Sequence, residues 1–230
     1  MIRGIIFHAV AVLCVAAVSV LSAQSAPVPA NNEPHHRRLL YTNDVREFDV
    51  TIPPGETAAD HVHQYDMATL IVGEGTVQVS RDGQDVAAPA PSARGSVIVT
   101  ELTGAPPATY RIRNTGTTAY HAIEVENMRD DGKWLTLMPL VAPGTSVLQQ
   151  ARAFTIYDER ITADMGDVRH AHTWSTILVL LDGSFENGGI GGEEPVTLTR
   201  PGQWMTFPRA QAHTVAAVGG GAHVIEIEAR

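Results

Sequence analysis

Apolar and polar positions alternate in short runs along most of this chain, and Gly, Pro and Asp separate the runs. That spacing predicts strands rather than helices. In the first half the runs are Phe48–Ile52, Thr69–Val72, Val77–Ser80, Val97–Thr100, Tyr110–Arg113 and His121–Glu126. Residues 127–143 break the rhythm and read as a linker that packs through Trp134, Leu135 and Leu137. A second series follows: Phe154–Tyr157, Ile177–Leu181, Val196–Thr199, Trp204–Phe207, Thr214–Val218 and Val224–Glu228. No long stretch carries a helical period. The last run of each series puts His, Ile and Val or Ile on one face and glutamates on the other. This predicts a half-buried strand with its aliphatic face turned inward.

The two series look like copies of one unit. Each opens on a His-x-His pair, His61-Val-His63 and His170-Ala-His172. Each pair precedes an apolar run ending in glycine, Leu70 to Gly75 and Leu178 to Gly183. The closing runs, His121-Ala-Ile-Glu-Val-Glu126 and His223-Val-Ile-Glu-Ile-Glu228, are nearly identical. Three landmarks in the same order indicate an internal duplication.

The start of the chain reads differently. Arg3 precedes an apolar run from Ile5 to Leu21, and small residues follow from Ser22 to Ala26. This is the order of a secretory signal over residues 1–25, and the run is short for a permanent span of about 20 apolar residues. The expected protein is exported, periplasmic or secreted, with no stable membrane insertion after cleavage. The single cysteine, Cys14, would leave with the signal, so no disulfide is expected. Residues 26–40 read as a flexible leader, with His35-His36-Arg37-Arg38 a solvated basic patch. The formal charge of −9 argues against nucleic acid as a partner. The loop from Glu186 to Glu194 is rich in glycine but has no lysine, which excludes a phosphate cradle and leaves a flexible hairpin loop.

Strand side chains alternate, so His-x-His directs both imidazoles to one face. His170 and His172 can meet His213 if the sheet curls, and three imidazoles suit a divalent transition metal. Zinc, copper, iron and nickel are all open on these residues alone. His61 and His63 form a weaker pair, which His121 could complete if the aliphatic face is the inner one. Tyr110 is expected to be a core aromatic. Trp174, Thr176, Trp204 and Phe207 are candidate substrate contacts.

These motifs resemble the cupin superfamily, whose first motif is G-x5-H-x-H-x(3–4)-E-x6-G and whose second is G-x5-P-x-G-x2-H-x3-N. Gly55, His61 and His63 match the first motif in the first half. His170 and His172 match its histidine pair in the second half. Gly202, Pro208 and His213 match the second motif, with Ala210 in place of its inner glycine. The motif's glutamate is missing twice, with Ala68 and Thr176 in its place. The resemblance implies an all-β fold of two tandem jelly-roll barrels. The first covers residues 41–128 with a degenerate site. A linker covers 129–146, and a second barrel with a three-histidine site covers 147–230. It also implies a small-molecule ligand and a monomer or homodimer. Three histidines without a carboxylate resemble the iron site of some cupin dioxygenases. The resemblance therefore implies a non-haem iron dioxygenase, with Fe(II) preferred and Zn, Ni, Cu or Mn open. Hard manganese favours carboxylate oxygen, which counts against a manganese enzyme. The rivals are a non-catalytic ligand-binding bicupin and a metal-dependent isomerase or lyase.

Overall fold

The computed structural model describes residues 26–129, 138–188 and 194–230. The signal-like segment, the linker residues Trp134, Leu135 and Leu137, and residues 189–193 of the glycine-rich loop lie outside them. The first half contains β1 (Val28–Pro29), β2 (His36–Tyr41), β3 (Val45–Ile52), β4 (His61–His63), β5 (Asp66–Gly73) and β6 (Thr76–Arg81). It continues with β7 (Gln84–Asp85), β8 (Ala90–Pro91), β9 (Val97–Thr100), β10 (Ala108–Asn114) and β11 (Tyr120–Asn127). The second half contains β12 (Thr145–Gln150), β13 (Phe154–Ile161), β14 (Val168–Ala171), β15 (Ser175–Gly188), β16 (Val196–Leu198), β17 (Trp204–Phe207) and β18 (Ala212–Ala229). Among the described residues no helix is long and apolar enough to cross a membrane.

In the first half two sheets face each other, with orders β1-β4-β10-β6-β7 and β2-β3-β11-β5-β9. In the second half the corresponding strands join into one curled sheet, β12-β13-β18-β15-β16, with β14 on β18 and β17 on β15. The difference lies at two bends. β15 shifts register between Leu180 and Asp182 and again between Gly183 and Phe185, so it passes from one layer to the other without breaking. Gly183 has φ +77°, and a Cβ there would stand 2.0 Å from the Gly221 carbonyl oxygen on β18. Only glycine lets the two bent strands approach so closely. The duplication is visible in burial: β3 and β13 share the same order of buried, half-buried and exposed positions.

Each barrel has its own core, built around Phe48, Val50 and Ile112 in the first and Leu178, Phe185 and Val215 in the second. A third cluster joins the halves, with Val72, Ile123 and Val125 packed in one group with Ile177, Leu181, Ile225 and Ile227. This overturns the expected facing of the closing strands. Their aliphatic residues pack between the barrels, and the glutamates of β11 and β18 turn inward. Alternation shows that two faces differ. It does not show which one is inside when the outer face is covered by a second barrel. The contact is reciprocal: a Cβ on Gly95 would meet Leu181 at 3.1 Å, and a Cβ on Gly202 would meet Val72 at 3.3 Å and His121 at 2.6 Å.

The flexible leader is a second correction. Val28 pairs in parallel with His61, and β2 runs antiparallel to β3 with His36 opposite Val50. Ala30, Glu33 and His36 are buried. An Ala, Pro and Asn composition reads as loose chain, and it cannot register pairing with strands far along the sequence.

The motif's inner-glycine position also leaves a mark. Ala210 has φ +58°, and its N–H donates to the His172 carbonyl at 2.8 Å. A left-handed alanine costs about 1–2 kcal/mol, partly offset by the extra unfolded-state freedom that glycine brings. Ala210→Gly is expected to stabilise the chain by about 0.5–1 kcal/mol, measured by urea unfolding with and without the substitution.

Candidate metal centre

In the second barrel β14 presents His170 and His172 on one face, and β18 brings His213 directly opposite His170. After its bend β18 returns through the barrel and adds Glu226. One ligand atom from each of these four residues lies within 4.8 Å of the others, and all four residues are buried. Glu226 Oε2 stands 3.1 Å from His172 Nε2, and Oε1 stands 3.5 Å from His170 Nε2 and 3.6 Å from His213 Nε2. None of these contacts is a well-directed hydrogen bond. Both nitrogens of each ring and both Glu226 oxygens have no hydrogen-bond partner. Buried polar atoms left in this state are costly, and a cation at their centre would satisfy them together. The donor set therefore fits a divalent metal.

Electrostatics follows from this packing. Burial opposes charge on Glu226, but the imidazoles of His170, His172 and His213 crowded around it outweigh that and hold its pKa well below the usual carboxylate range. Burial likewise opposes charge on His172, whose pKa is nonetheless raised by Glu226. His213 moves down, chiefly through burial. Glu159, also buried, is pushed up to about 9 by burial and by the charge of Glu226, while Thr145 donates to its Oε1 at 3.1 Å.

The conclusion that the second barrel lacks a carboxylate is thus corrected. The motif's glutamate position is indeed Thr176, but the adjacent strand supplies Glu226, opposite Leu178. The alternating glutamates of the closing run were the available signal, and the inverted facing concealed it.

The first barrel departs further from expectation. His61 and His63 share a face of β4, and Tyr110 stands opposite His61 where the second barrel has His213 opposite His170. The third imidazole comes from β2 instead. His36 joins His61 and His63 in a buried group whose ligand atoms lie within 4.8 Å of one another. Glu124, the counterpart of Glu226, places Oε2 3.3 Å from His36 Nε2 and 3.8 Å from His63 Nε2. Burial opposes charge on His36, yet Glu124 and Glu33 raise its pKa to about 9. His61 falls to about 4 through burial and the neighbouring His36 and His63. The basic patch is therefore no solvated tail at His36. His121 is outside the group. It lies on the inter-barrel face with Nε2 3.0 Å from Asp49, because its strand faces the other way from the assumed one. His223 likewise pairs with Asp158, at 3.3 Å.

A cavity of about 120 Å³ adjoins the second-barrel group. Its wall includes His172, Trp174, Tyr157, Leu140, Glu228 and Arg230. Of the candidate substrate contacts, Trp174 is on this wall, with the guanidinium groups of Arg129 and Arg209 at 4.4 and 4.7 Å from its ring. Phe207 stacks flat on His213, with centroids 3.7 Å apart. Thr176 donates its hydroxyl to the Trp174 carbonyl at 3.1 Å. Trp204 packs against the inter-barrel cluster. Tyr157 and Arg230 were not singled out by the sequence, since neither falls in a motif.

No protein-family model matches this chain, and no curated protein matches it. Solved structures do. A cupin 2 conserved barrel domain protein from Leptotrichia buccalis aligns with 84% of this chain and 87% of its own, at 11% identity and a TM-score of 0.55. AerE from Microcystis aeruginosa aligns over 89% and 98% at 15% identity and a TM-score of 0.61. Salicylate 1,2-dioxygenase from Pseudoaminobacter salicylatoxidans, in an adduct with gentisate, aligns over 88% and 75% at 15% identity and a TM-score of 0.60. With the twice-used strand plan, these likenesses show the fold: two tandem β-barrels of the cupin type.

Proposed function

We propose that this chain is an exported, metal-dependent bicupin whose second barrel carries out an oxygenase-type reaction on a small organic acid. The observation that carries the reading is the buried His170–His172–His213–Glu226 group beside a cavity that also has an arginine on its wall. Imidazole suits iron and carboxylate suits manganese, so either metal fits the four donors. The argument against manganese from a missing carboxylate lapses with Glu226. Such a metal, when bound, would supply redox chemistry toward dioxygen, as the likeness to a salicylate dioxygenase suggests. Export rests on the order of charge, apolar run and small residues in segment 1–25.

The chain's own residues define the substrate. Arg230 donates from Nε and Nη2 to Thr155 Oγ1 at 2.9 and 2.7 Å, which fixes the guanidinium at the cavity wall. A planar guanidinium held in place suits a carboxylate. The carboxylate on the wall, Glu228, is already engaged: its oxygens accept from Tyr157 Oη and from the backbone N–H of Trp174, each at 3.1 Å. Burial and the nearby glutamates raise the Tyr157 pKa to about 12, so this phenol keeps its proton at the cavity edge. Trp174 supplies an apolar wall. The volume is somewhat below the roughly 150 Å³ that accommodates benzene in an engineered cavity, which limits the substrate to a few heavy atoms or one compact ring.

The test is a screen of small mono- and dicarboxylic acids, aromatic acids included, with the iron- and manganese-loaded chain under air and under nitrogen. Turnover that needs oxygen supports the reading. Turnover unaffected by nitrogen replaces it with a Lewis-acid isomerase or lyase. Arg230→Met is expected to raise KM for an acid substrate about 10- to 100-fold, the value of a lost charged hydrogen bond, with a smaller effect on kcat. An unchanged KM would remove Arg230 from substrate binding.

A further inference from the structure

We propose that the first barrel holds a second, structural divalent metal on His36, His61, His63 and Glu124, and that this ion pins the N-terminal strand to the barrel. The argument starts from the far side of each ring. His36 Nδ1 is 2.7 Å from Glu33 Oε2, His61 Nδ1 is 2.7 Å from the Ala59 carbonyl, and His63 Nδ1 is 2.6 Å from Glu126 Oε1. A carbonyl oxygen accepts and cannot donate, and so does an ionised carboxylate. Each Nδ1 therefore carries the hydrogen, and in the neutral ring each Nε2 presents a lone pair. Carboxylate and carbonyl partners on the outer nitrogen are what orient metal-binding histidines.

These outer partners are themselves held. Glu33 also accepts from the His35 and Ala59 N–H groups at 2.7 and 3.0 Å. Glu126 accepts from Arg46 Nε at 2.5 Å. On the inner side, His36 Nε2, His61 Nε2 and Glu124 Oε2 have no hydrogen-bond partner. A single proton can bridge one imidazole to Glu124, and it leaves His61 Nε2 orphaned. A cation among the three imidazoles, whose ligand atoms lie within 4.8 Å of one another, serves all three, and Glu124 Oε2 approaches it from beside His36 and His63. Tetrahedral zinc with bonds of about 2.0–2.1 Å puts its ligand atoms about 3.3 Å apart. The Glu124 contacts at 3.3 and 3.8 Å are close to that edge.

The site takes a zinc-like ion rather than a catalytic one. All four donors are buried, with His61 fully inaccessible and His36 only 4% exposed. Four protein ligands with no water-facing position define a closed site. Its placement explains its use. β4 and β11 belong to the barrel wall, while His36 is the first residue of β2, an edge strand. The ion would therefore join β2 to both sheets, adding to its backbone pairing with β3, the Glu33–Ala59 hydrogen bond and the packing of Ala30.

The test uses the full chain and its His172→Ala and His36→Phe variants, loaded with zinc and desalted. Metal content is then read by atomic emission, and trypsin cleavage after Arg37 and Arg38 is timed with and without chelator. The expected result is about two equivalents in the parent chain and about one in each variant. In His172→Ala, chelation is expected to speed cleavage in β2 at least about tenfold, because the pinned strand is released. One equivalent that disappears with His172→Ala overturns the inference and leaves the second-barrel reading intact. One equivalent that survives His172→Ala and disappears with His36→Phe does the reverse. If His36→Phe does not fold, retention of metal by His172→Ala decides alone. Zinc-independent cleavage in that variant also overturns the pinning role.

Discussion

In a Glu226→Gln variant the second barrel is expected to lose its metal, whereas Thr176→Val is expected to keep it. The pair separates two accounts of the site. The linear motif puts the acidic ligand at position 176. The fold puts it on the last strand, with Oε2 3.1 Å from His172 and Oε1 near His170 and His213. Glutamine keeps the shape of Glu226 but removes the negative charge that offsets a divalent ion. Outer-shell partners alone change affinity about 10- to 100-fold, so losing this ligand is expected to cost about 100-fold or more. Competition against a coloured chelator at fixed pH gives the dissociation constants, and thermal unfolding of the metal-free forms controls for folding. Equal affinity in Glu226→Gln and the parent chain would sink the assignment of Glu226.

Raising the pH from 5 to 8.5 is expected to destabilise the parent chain much more than a Glu47→Gln variant. Glu47 is fully buried, and neither of its oxygens has a hydrogen-bond partner. On β3 it shares a face with Val45 of the inter-barrel cluster, and it stands opposite Val125 of the same cluster. Burial, with some help from the charge of Asp49, pushes its pKa from 4.5 to about 8. Between those values the folded chain holds a proton that the unfolded chain has released. Stability contributed by the neutral carboxyl is therefore complete below about pH 4.5, falls as the pH rises toward 8, and then levels off. At about 1.4 kcal/mol per pKa unit the full shift is an upper bound, and structural relaxation reduces the expected effect to about 2 kcal/mol. Urea unfolding of both chains at the two pH values isolates Glu47 from Glu159, which contributes a slope of the same sign to both. Parallel pH curves for the two chains would show that Glu47 is charged or solvated in the fold.

The strands, the duplication and the grouping of His170, His172 and His213 were legible because each rests on local spacing. Strand alternation aims two histidines together, and a motif of fixed length returns the third. What stayed hidden depended on which surfaces meet. Glu124 and Glu226 sit in plain alternation with Ile123, Val125, Ile225 and Ile227. A strand covered on both faces gives no sequence cue to which side is the barrel interior. His121 was offered as a ligand for the same reason. His36 lies in a segment of unstructured composition, and only its pairing with β3 carries it to His61 and His63. Tyr110, expected to be a core aromatic, is half-buried and stands opposite His61, where the second barrel has His213 opposite His170.

The reciprocal contacts of Gly95 with Leu181 and of Gly202 with Val72 are those of an isologous dimer, here joined by a covalent tether. Tethering makes the pairing intramolecular, with an effective concentration set by the connecting segment rather than by the amount of protein. It also breaks the obligation that both sides be identical. The position of Glu47 in the first barrel corresponds to Ile156 in the second, since each stands opposite an aliphatic residue of its closing strand, Val125 or Ile227. Two separate copies of the first barrel meeting through this face would bury the carboxyl twice. The tether lets the chain carry it once.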